Sequence, residues 1–377
     1  MKPHVAVIGA GAFGGWTALY LLRRGAEVTL LDAWGAANSR ASSKGETRVI
    51  RGTYGPNQPY TAMTAHAMRL WEESEKRWNC RLLHRTGVLW MAAEGNDEFE
   101  RGSLSPLREA EIPYEELDAT EIGKRWPQIN LEGVRWGIFE PESGYLAARR
   151  ACQAVHDGFL AEGGEYRQVT VSADGLDDAG WNALTLSDGS KLRAEAYVFG
   201  CGPWLSGLFP NTIGNRIRVT KQDMFFFGAP AGDDRFSEKN LPVWADHREH
   251  FIYGIPGDPA GFKVADDTHG PEFDPTNGER VASAEDLQAI RNYLGFRFPA
   301  FKNAALLQTL VCQYENTPDG HFIIDRHPGS KDVWLVGGGS GHGFKHGPAV
   351  GEMVSRLVME DEEADAVFRL ARFRQGR

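Results

Sequence analysis

Residues near the end of the chain combine a single thiol with a glycine-rich segment that carries two basic side chains. Cys312 and Tyr314 precede a short apolar run, and residues 337–345 read GGGSGHGFK. Glycines let a backbone approach a flat or anionic ligand closely, and His342 and Lys345 supply charge beside it. The segment is a poor pattern for a hydrophobic core and predicts part of a ligand site.

A second glycine-rich segment lies at the start of the chain, where an apolar run breaks into the spacing G-x-G-x-x-G. Gly9, Gly11 and Gly14 fall between a predicted strand and a predicted helix. There the first glycine allows a tight turn, the second lets a pyrophosphate touch the backbone, and the third lets helix and strand pack closely. Asp32 ends the next strand, where its carboxylate can accept hydrogen bonds from ribose hydroxyls. These residues predict an adenine dinucleotide site, without separating NAD from FAD.

A third polar group lies in a long segment, residues 35–58, that is rich in glycine, serine and asparagine. A loop of this length and composition is predicted to be functional. Its small hydroxyls and basic side chains suit hydrogen bonds to a polar ring edge and to an anion; these residues are Ser42, Ser43, Lys44, Thr47, Arg48 and Arg51. For the arginines alone, surface salt bridges would be the better expectation.

Alternating strands and helices must bring these segments together. Apolar periodicity predicts strands at residues 5–8 and 27–31 around a helix at 12–24, a βαβ unit of about 30 residues. The other predicted elements are helices at 60–78, 146–162 and 284–294, a mostly helical stretch at 94–127, strands at 86–91, 168–171 and 196–199, and a hairpin around 187–189. Residues 215–320 are rich in aromatics and turns, which favours an antiparallel sheet.

The chain length predicts two domains. With 377 residues the chain exceeds the size at which a single core keeps growing. The predicted fold class is α/β, with a discontinuous Rossmann-type domain formed by residues 1–85, 146–214 and 321–377. Residues 86–145 and 215–320 are predicted to form a second, α+β domain built on an antiparallel sheet that holds the substrate.

Composition and charge limit the partners. The formal charge is 41 − 51 = −10, without a basic block, so neither nucleic acid nor an anionic membrane is expected as a partner. No apolar run approaches the length of about 18 residues that a membrane span needs. The first strand enters the glycine fingerprint at once, which argues against a cleaved signal peptide. Four widely spaced cysteines favour reduced thiols, so a cytoplasmic protein without a metal site is predicted.

Longer motifs reveal a family resemblance. The loop matches the pattern SSxGxTRxIRxxYG, which closes at Tyr54 and Gly55, and residues 139–144 read FEPESG. Together with the Cys312 segment and residues 340–345, they resemble the family of monomeric sarcosine oxidase, N-methyltryptophan oxidase and L-pipecolate oxidase. The resemblance extends from the first strand to the last helix. It implies FAD as the cofactor and a Rossmann-type FAD-binding domain.

The resemblance also implies a covalent bond between the flavin 8α carbon and the sulfur of Cys312. A thiolate can add to the activated ring methyl if nearby positive charge lowers its pKa. An isolated cysteine would more often be a buried, inert thiol. The flanking matches at residues 316–319 and 322–325 reverse that expectation.

Further roles follow from the same resemblance. Arg51 and Lys345 match the pair that holds the substrate carboxylate, and Tyr253 and Tyr314 match aromatic residues of the substrate cavity. Lys263 matches the lysine that speeds oxygen reduction, since a fixed cation lowers the cost of forming superoxide. Arg48 and His342 are the other predicted catalytic residues. The predicted cofactor-binding residues are Gly9, Gly11, Ala12, Phe13, Gly14, Asp32, Ala33, Ser42, Ser43, Lys44, Thr47, Arg48, Val171, Gly202, Cys312, Gly341, His342, Gly343, Phe344 and Lys345.

The chain departs from the family pattern at three positions. Lys44 replaces a frequent histidine, Trp244 a smaller apolar residue, and Asp267 a histidine of the active site. His269 lies two residues further on, so a local register shift stays open. If Trp244 and Asp267 both reach the pocket, polar, hydroxyl-rich or cationic substrates are expected. If one points away, an ordinary N-methyl or cyclic amino-acid oxidase is expected.

The predicted activity is FAD-dependent oxidation of the C–N bond of a secondary amino acid. It would form an imine that water hydrolyses, while O₂ is reduced to hydrogen peroxide by a monomeric enzyme. No side-chain base appears necessary, because a cationic pocket favours the neutral amine. The alternatives are a dehydrogenase with another electron acceptor and, disfavoured by the charge of −10, a flavin-dependent RNA-modifying protein. A purely structural FAD-binding module would not need the Arg51 and Lys345 pair.

Overall fold

The computed structural model describes residues 2–56, 59–178, 180–248 and 250–374. The end of the predicted loop at residues 35–58 therefore lies outside the described residues. The helices are α1 (Ala12–Arg23), α2 (Tyr60–Trp78), α3 (Glu98–Glu109), α4 (Ala119–Arg125), α5 (Ala148–Ala161), α6 (Leu205–Leu208), α7 (Ala284–Arg297) and α8 (Gly347–Glu360).

The strands alternate with these helices at both ends of the chain and follow one another in its middle. They are β1 (His4–Ile8), β2 (Glu27–Asp32), β3 (Thr47–Ile50), β4 (Leu83–His84), β5 (Val88–Ala93), β6 (Glu115–Asp118), β7 (Val134–Glu140), β8 (Gly144–Ala147), β9 (Glu165–Gln168), β10 (Leu184–Thr185), β11 (Lys191–Leu192), β12 (Ala196–Phe199), β13 (Arg218–Phe227), β14 (Val243–His247), β15 (Phe251–Ile255), β16 (Phe262–Asp266), β17 (Leu306–Asn316), β18 (Ile323–His327) and β19 (Ser330–Gly337).

A six-stranded sheet in the order β18-β19-β12-β1-β2-β9 carries the glycine fingerprint. Its strands run parallel except for β18, which pairs antiparallel with β19. β1 is a nearly continuous buried apolar run, as expected for a central parallel strand. Helix α8 approaches α1 so closely that a Cβ on Gly351 would lie 2.6 Å from the carbonyl carbon of Trp16. This contact brings the last helix beside the first, so both ends of the chain meet at one sheet.

The second large sheet has eight strands in the order β17-β13-β16-β15-β14-β5-β7-β6. The strands of residues 215–320 pair antiparallel with one another, as predicted, and β14 also pairs in parallel with β5 from the earlier segment. One face packs on an aromatic core that includes Phe262 and Phe298 and is covered by α7. The other face carries Lys263 and Cys312. These two side chains contact the loop of residues 42–47, next to the edge of the six-stranded sheet at which β1 and β2 end.

Several predicted elements agree closely with the structure and others shift. The helices predicted at 12–24 and 60–78 and the strand at 196–199 are found within a residue of their predicted bounds. The strand predicted near 168–171 instead covers Glu165–Gln168, and strand β6 interrupts the stretch predicted as mostly helical. Strand β3 lies inside the predicted loop because it pairs with β8, a partner almost a hundred residues away.

The two large sheets draw their strands from different parts of the chain. Strands of the six-stranded sheet fall within residues 1–85, 146–214 and 321–377, and those of the eight-stranded sheet within 86–145 and 215–320. The boundaries of independently folding domains stay a prediction. A search of the described helices finds no segment that is both long and apolar enough to cross a bilayer.

Candidate active site

A cavity opens along the carboxyl ends of β1 and β2. Such a position is where open α/β sheets bind dinucleotides. The predicted cofactor residues that line it are Gly9, Gly11, Ala12, Phe13, Asp32, Ala33, Ser42, Ser43, Arg48, Val171, Gly202, Gly341, Gly343 and Phe344. Gly14, Lys44, Thr47, Cys312, His342 and Lys345 lie outside its lining.

The three fingerprint glycines differ in their surroundings. Gly9 has a φ of +104°, and a Cβ there would lie 2.4 Å from the carbonyl oxygen of Gly200. A Cβ on Gly14 would lie 1.9 Å from the carbonyl oxygen of Gly9. A Cβ on Gly11 would meet only Ser43 Oγ, at 3.9 Å, and would extend into the cavity. Gly11 also caps α1 without a side-chain hydrogen bond, so free backbone N–H groups face the space that an anionic pyrophosphate would take.

Asp32 is held rigidly at the wall of this cavity. Its Oδ2 accepts a hydrogen bond from the amide of Ala10 at 2.8 Å, and its Oδ1 accepts from the amides of Trp34 and Gly35 at 2.8 and 2.9 Å. Burial raises the pKa of Asp32, although these amides oppose the shift. A fixed carboxylate at the end of β2 suits a ribose, so the cavity fits the adenosine half and the pyrophosphate of FAD.

Cys312 lies directly behind the loop that lines the cavity. Its Sγ is 3.4 Å from the carbonyl oxygen of Ser42 and 3.5 Å from Nη2 of Arg48. Arg48 also donates to the carbonyl oxygens of Thr47 and Ser42, both at 2.8 Å, and to that of Lys44. The guanidinium therefore ties the loop to the thiol and places a positive charge beside it.

Two other cysteines near the cavity have different environments. Cys201 lines the cavity, but its Sγ contacts the carbonyl oxygen of Ile8 at 3.4 Å and burial raises its pKa. Cys152 is buried, and burial raises its pKa to about 11. Neither side chain shows a hydrogen bond from a cation. Among these three described cysteines, Cys312 is therefore the one whose thiol contacts a guanidinium.

A second, smaller cavity adjoins the first, and the two share Arg48, Tyr314, Gly341 and Phe344 in their walls. The remaining wall of the second cavity combines apolar and charged residues: Val49, Arg51, Val88, Trp90, Val243, Trp244, Ala245, Phe251, Tyr253, Asp267, His342 and Lys345. The predicted substrate residues thus come together beside the cofactor cavity, from strands β14 to β17 and from both chain ends.

Two cations of the second cavity are held by aromatic side chains. The guanidinium carbon of Arg51 lies 4.3 Å from the centroid of the Tyr54 ring and 4.8 Å from that of Trp90. Lys345 Nζ donates to Tyr54 Oη at 2.7 Å and to the carbonyl oxygen of His342 at 2.9 Å. Burial and the charge of Arg51 hold the pKa of Lys345 well below its usual range. An anion bound between the two cations would relieve this repulsion.

Asp267 supplies the negative charge of the second cavity. Its Oδ1 accepts a hydrogen bond from Tyr314 Oη at 2.6 Å. Burial raises the pKa of Asp267 to about 6, while Tyr314, Arg51 and Lys345 act in the opposite direction. The ring of His269 lies further out, 6.5 Å from that of Tyr314, and does not line either cavity. The open question of register is thereby decided in favour of Asp267.

Trp244 corrects the expectation of an indole in the substrate pocket. Although Trp244 borders the cavity, its ring is fully buried and stacks on Phe262 and Tyr293, on the face covered by α7. Its neighbours Val243 and Ala245 belong to the core of the cavity side, because side chains alternate along a strand. A Cβ on Gly254, opposite in β15, would lie 2.3 Å from the indole, so glycine makes room for it there.

Lys263 and His342, two predicted catalytic residues, make internal contacts. Lys263 Nζ donates to the carbonyl oxygen of Thr47 at 3.0 Å, under the loop and outside the lining of both cavities. Burial and the charge of Arg48 lower the pKa of Lys263 to about 7.

Both ring nitrogens of His342 have partners: Nδ1 lies 3.3 Å from Tyr54 Oη, and Nε2 lies 3.0 Å from the carbonyl oxygen of Gly320. Burial keeps the pKa of His342 well below its usual value, so the ring is neutral.

Two carboxylates beside these cavities have no predicted role. Glu140 is fully buried and binds the backbone that follows Arg51. Glu315 lines the cofactor cavity and accepts a hydrogen bond from Ser42 Oγ at 2.8 Å, and burial raises its pKa to about 7. Glu140 belongs to the FEPESG motif, which could have marked it, whereas nothing in the sequence sets Glu315 apart.

The fold and the cavity at the carboxyl ends of β1 and β2 are typical of a dinucleotide-dependent oxidoreductase. The model of the FAD dependent oxidoreductase family matches residues 4–357, and the chain belongs to this family. This confirms the predicted family resemblance, the fold class and FAD as the cofactor. In the described part of the chain, no group of three or more His, Cys, Asp or Glu side chains is arranged to hold a metal ion.

Relatives with assigned names cover nearly the whole chain. Monomeric sarcosine oxidase of Bacillus sp. (strain B-0618) is 30% identical over 367 residues, which are 95% of this chain and 93% of that protein. N-methyl-L-tryptophan oxidase of Yersinia pestis (strain Pestoides F) is 29% identical over 384 residues, 99% of this chain and 100% of that protein.

Solved structures share the fold at lower identity. L-proline dehydrogenase from P. horikoshii superposes with a TM-score of 0.85 at 20% identity, covering 100% of this chain and 99% of that one. A modified fructosyl peptide oxidase from Aspergillus nidulans gives a TM-score of 0.81 at 21% identity, with coverage of 98% and 93%. These likenesses establish the fold alone.

Proposed function

We propose that this FAD-dependent oxidoreductase oxidises the C–N bond of a secondary amino acid to an imine and uses O₂ as the electron acceptor, with hydrogen peroxide as the second product. The observation that carries the proposal is the position of Arg51 and Lys345 in a cavity that adjoins the cofactor cavity. The names of the relatives support it, because sarcosine and N-methyl-L-tryptophan are both N-methyl amino acids.

The two cations account for binding and orientation of the substrate. A guanidinium fork suits a carboxylate in a bidentate manner, and an ammonium adds a point charge. Tyr54 accepts a hydrogen bond from Lys345 and lies under Arg51, so one ring aligns both cations. A carboxylate held there would place the neighbouring C–N bond at the junction of the two cavities. FAD, if held by the residues that line the first cavity, would supply the acceptor for the hydride equivalent that the substrate loses.

The walls of the second cavity exclude water from this bond. Val88, Val243, Ala245 and Phe251 supply apolar wall, and the ring of Trp90 lies against the Arg51 guanidinium. A dry site strengthens the attraction between the cations and a carboxylate. Tyr253 and Tyr314 complete the wall and are proposed to contact the substrate.

The finer assignments belong to the same proposal. Cys312 is proposed to bind the flavin covalently, which its contact with Arg48 supports. Lys263 is proposed to promote reduction of O₂ through its charge. Arg48, in the wall that the two cavities share, and His342, in the wall of the second cavity, are also proposed to support the reaction. We further propose a cytoplasmic monomer, which the name of the sarcosine oxidase relative supports.

The proposal is tested by a substrate screen with two readings. Secondary amino acids of the N-methyl, cyclic and N-glycated classes are mixed with the purified protein, each beside its primary parent amino acid. Without oxygen, an active compound should bleach the flavin absorbance; with oxygen, it should release one hydrogen peroxide for each amine consumed. Bleaching without peroxide would instead establish the dehydrogenase alternative. Absence of bleaching with every secondary amino acid would contradict the proposal.

A further inference from the structure

The carboxylate of Asp267 is the acidic group of a cavity whose other charged side chains, Arg48, Arg51 and Lys345, are all basic. Its Oδ1 is occupied by the hydroxyl of Tyr314 at 2.6 Å, and among the described residues no donor reaches Oδ2. We propose that Asp267 binds the ammonium group of the amino-acid substrate through Oδ2 and accepts its proton. This inference rests on the proposed function and adds a side-chain base, which the sequence did not predict.

The charge pattern of the cavity is complementary to an amino-acid zwitterion. Arg51 and Lys345 can hold the carboxylate, and both are close enough to Asp267 to influence its charge. An ammonium one carbon away from that carboxylate needs its own negative partner, because a buried unpaired charge is strongly unfavourable. Asp267 is the carboxylate that lines this cavity in the described residues.

Tyr314, Arg51 and Lys345 favour a charged carboxylate on Asp267, whereas burial and the adjacent Asp266 oppose it. Tyr314 of β17 donates to it, Tyr253 of β15 lies beside it, and Arg51 and Lys345 attract its charge from two other segments. These groups and burial together set the pKa of Asp267 at about 6. The adjacent Asp266 has a separate partner, the ring of His250 at 2.9 Å. Asp267 is therefore ionised when a zwitterion enters above that pH.

The proton transfer requires no further reagent. The N–H bond of the ammonium breaks, its electron pair stays on nitrogen as the lone pair, and a new O–H bond forms at Oδ2 of Asp267. The amine must carry this lone pair before the C–N bond can become an imine. Tyr314, which already donates to Oδ1, holds the carboxylate in place during the transfer.

This role also changes the expected substrate class. Because Asp267 is occupied by the ammonium group, it is not available for a cationic or hydroxyl-rich substituent. The remaining wall is apolar and aromatic, and the indole of Trp244, which borders it, packs into the aromatic core on the other face of the sheet. The N-substituent and the side chain of the preferred substrate should therefore be compact and apolar.

Binding of two isosteric ligands tests whether Asp267 pairs with a positive charge on the ligand, and this test does not depend on oxidation. Trimethylammonioacetate and 3,3-dimethylbutanoate have the same shape and carboxylate, but only the first carries a positive charge. Binding of each to the flavin-loaded protein is measured by calorimetry. Asp267→Asn should weaken the cationic ligand by about tenfold to a hundredfold, the range for a hydrogen bond or contact to a charged group. Binding of 3,3-dimethylbutanoate should stay the same or improve.

Control variants separate this inference from the proposed function. Asp266→Asn should leave both ligands unchanged, and Lys345→Met should weaken both, since both carry the carboxylate. Equal weakening of the two ligands by Asp267→Asn, or unchanged binding of the cationic one, would overturn the inference while the carboxylate site stands. Failure of the wild-type protein to bind either ligand would reject the carboxylate site and this inference with it.

A pH profile then tests the proton transfer. With a substrate from the screen, wild-type kcat/KM should fall as the pH drops through about 6, because Asp267 becomes protonated. In Asp267→Asn the break near pH 6 should vanish, and kcat/KM should rise steadily with pH up to the pKa of the free amine. An unchanged break near pH 6 in Asp267→Asn would show that another group takes the proton.

Discussion

Glu140 binds Thr53 through two hydrogen bonds to the same oxygen, from the amide at 3.1 Å and from the hydroxyl at 2.7 Å. Its second oxygen accepts from the amide of Gly52 and the hydroxyl of Ser143, both at 2.7 Å. Arg51 immediately precedes this turn and donates to the carbonyl oxygen of Thr53. The buried carboxylate therefore fixes the backbone that aims the Arg51 guanidinium into the substrate cavity.

We predict that Glu140→Gln destabilises the protein and weakens the substrate. The amide has one acceptor oxygen in place of two, so at least one buried donor loses its partner, at a cost of about 1–3 kcal/mol. KM for the amino acid should rise more than kcat falls, because Arg51 is displaced while the cofactor cavity is not. Chemical denaturation and steady-state kinetics measure the two effects.

Glu142→Gln is the matched control for this prediction, because Glu142 lies two residues away and its side chain is 56% exposed. It should change neither stability nor KM appreciably. If Glu140→Gln lowers stability but leaves KM and kcat unchanged, Glu140 serves folding alone and does not position Arg51.

The covalent bond to the flavin is predicted to depend on Cys312. In Cys312→Ala, acid precipitation should leave the flavin in the supernatant, whereas the wild-type precipitate should stay yellow. Cys201→Ala is the control, since Cys201 lines the cofactor cavity without a guanidinium contact. A wild-type protein whose denatured mass lacks one flavin would reject the assignment.

Arg51 and Lys345, which are proposed to hold the substrate carboxylate, are predicted to account for a large part of substrate affinity. Arg51→Ala and Lys345→Ala should each weaken carboxylate substrates and inhibitors by about 1.5–3 kcal/mol, the range for hydrogen bonds to charged groups. Inhibition constants of a small carboxylate measure this loss. Unchanged inhibition in both variants would mean that the substrate binds elsewhere.

Lys263 is predicted to speed the reaction with oxygen. Lys263→Met should slow reoxidation of the reduced flavin by about 10²–10³-fold, the effect of losing one preorganised charge, and should slow its reduction much less. Stopped-flow absorbance separates the two half-reactions. Equal oxidative rates in both proteins would remove the role.

The same residue predicts a pH dependence. Because burial and Arg48 lower the pKa of Lys263 to about 7, its ammonium form predominates below that pH and is lost above it. The wild-type oxidative rate should therefore fall as the pH rises through about 7, while the rate of Lys263→Met should stay flat. A wild-type rate that rises over this range would contradict a charged Lys263.

The sequence by itself determined the parts of this protein that depend on neighbours along the chain. The fingerprint from Gly9 to Gly14 lies between a strand and a helix within one βαβ unit, so its role follows from local geometry. The helix at Tyr60–Trp78 follows from its apolar periodicity. The family motifs add Arg51, Lys345 and Cys312, since those residues lie in distinctive local patterns.

Only the tertiary structure decided which side chains share a cavity. Trp244 and Asp267 both lie in or at the end of strands, where a change of one residue in register moves a side chain to the other face. Pairing of β14 with β15 turns the indole of Trp244 into the aromatic core, while Asp267 faces Tyr314. Glu140 gains its role from a turn nearly ninety residues earlier in the chain. Such contacts depend on how distant strands pair, and no local pattern encodes that pairing.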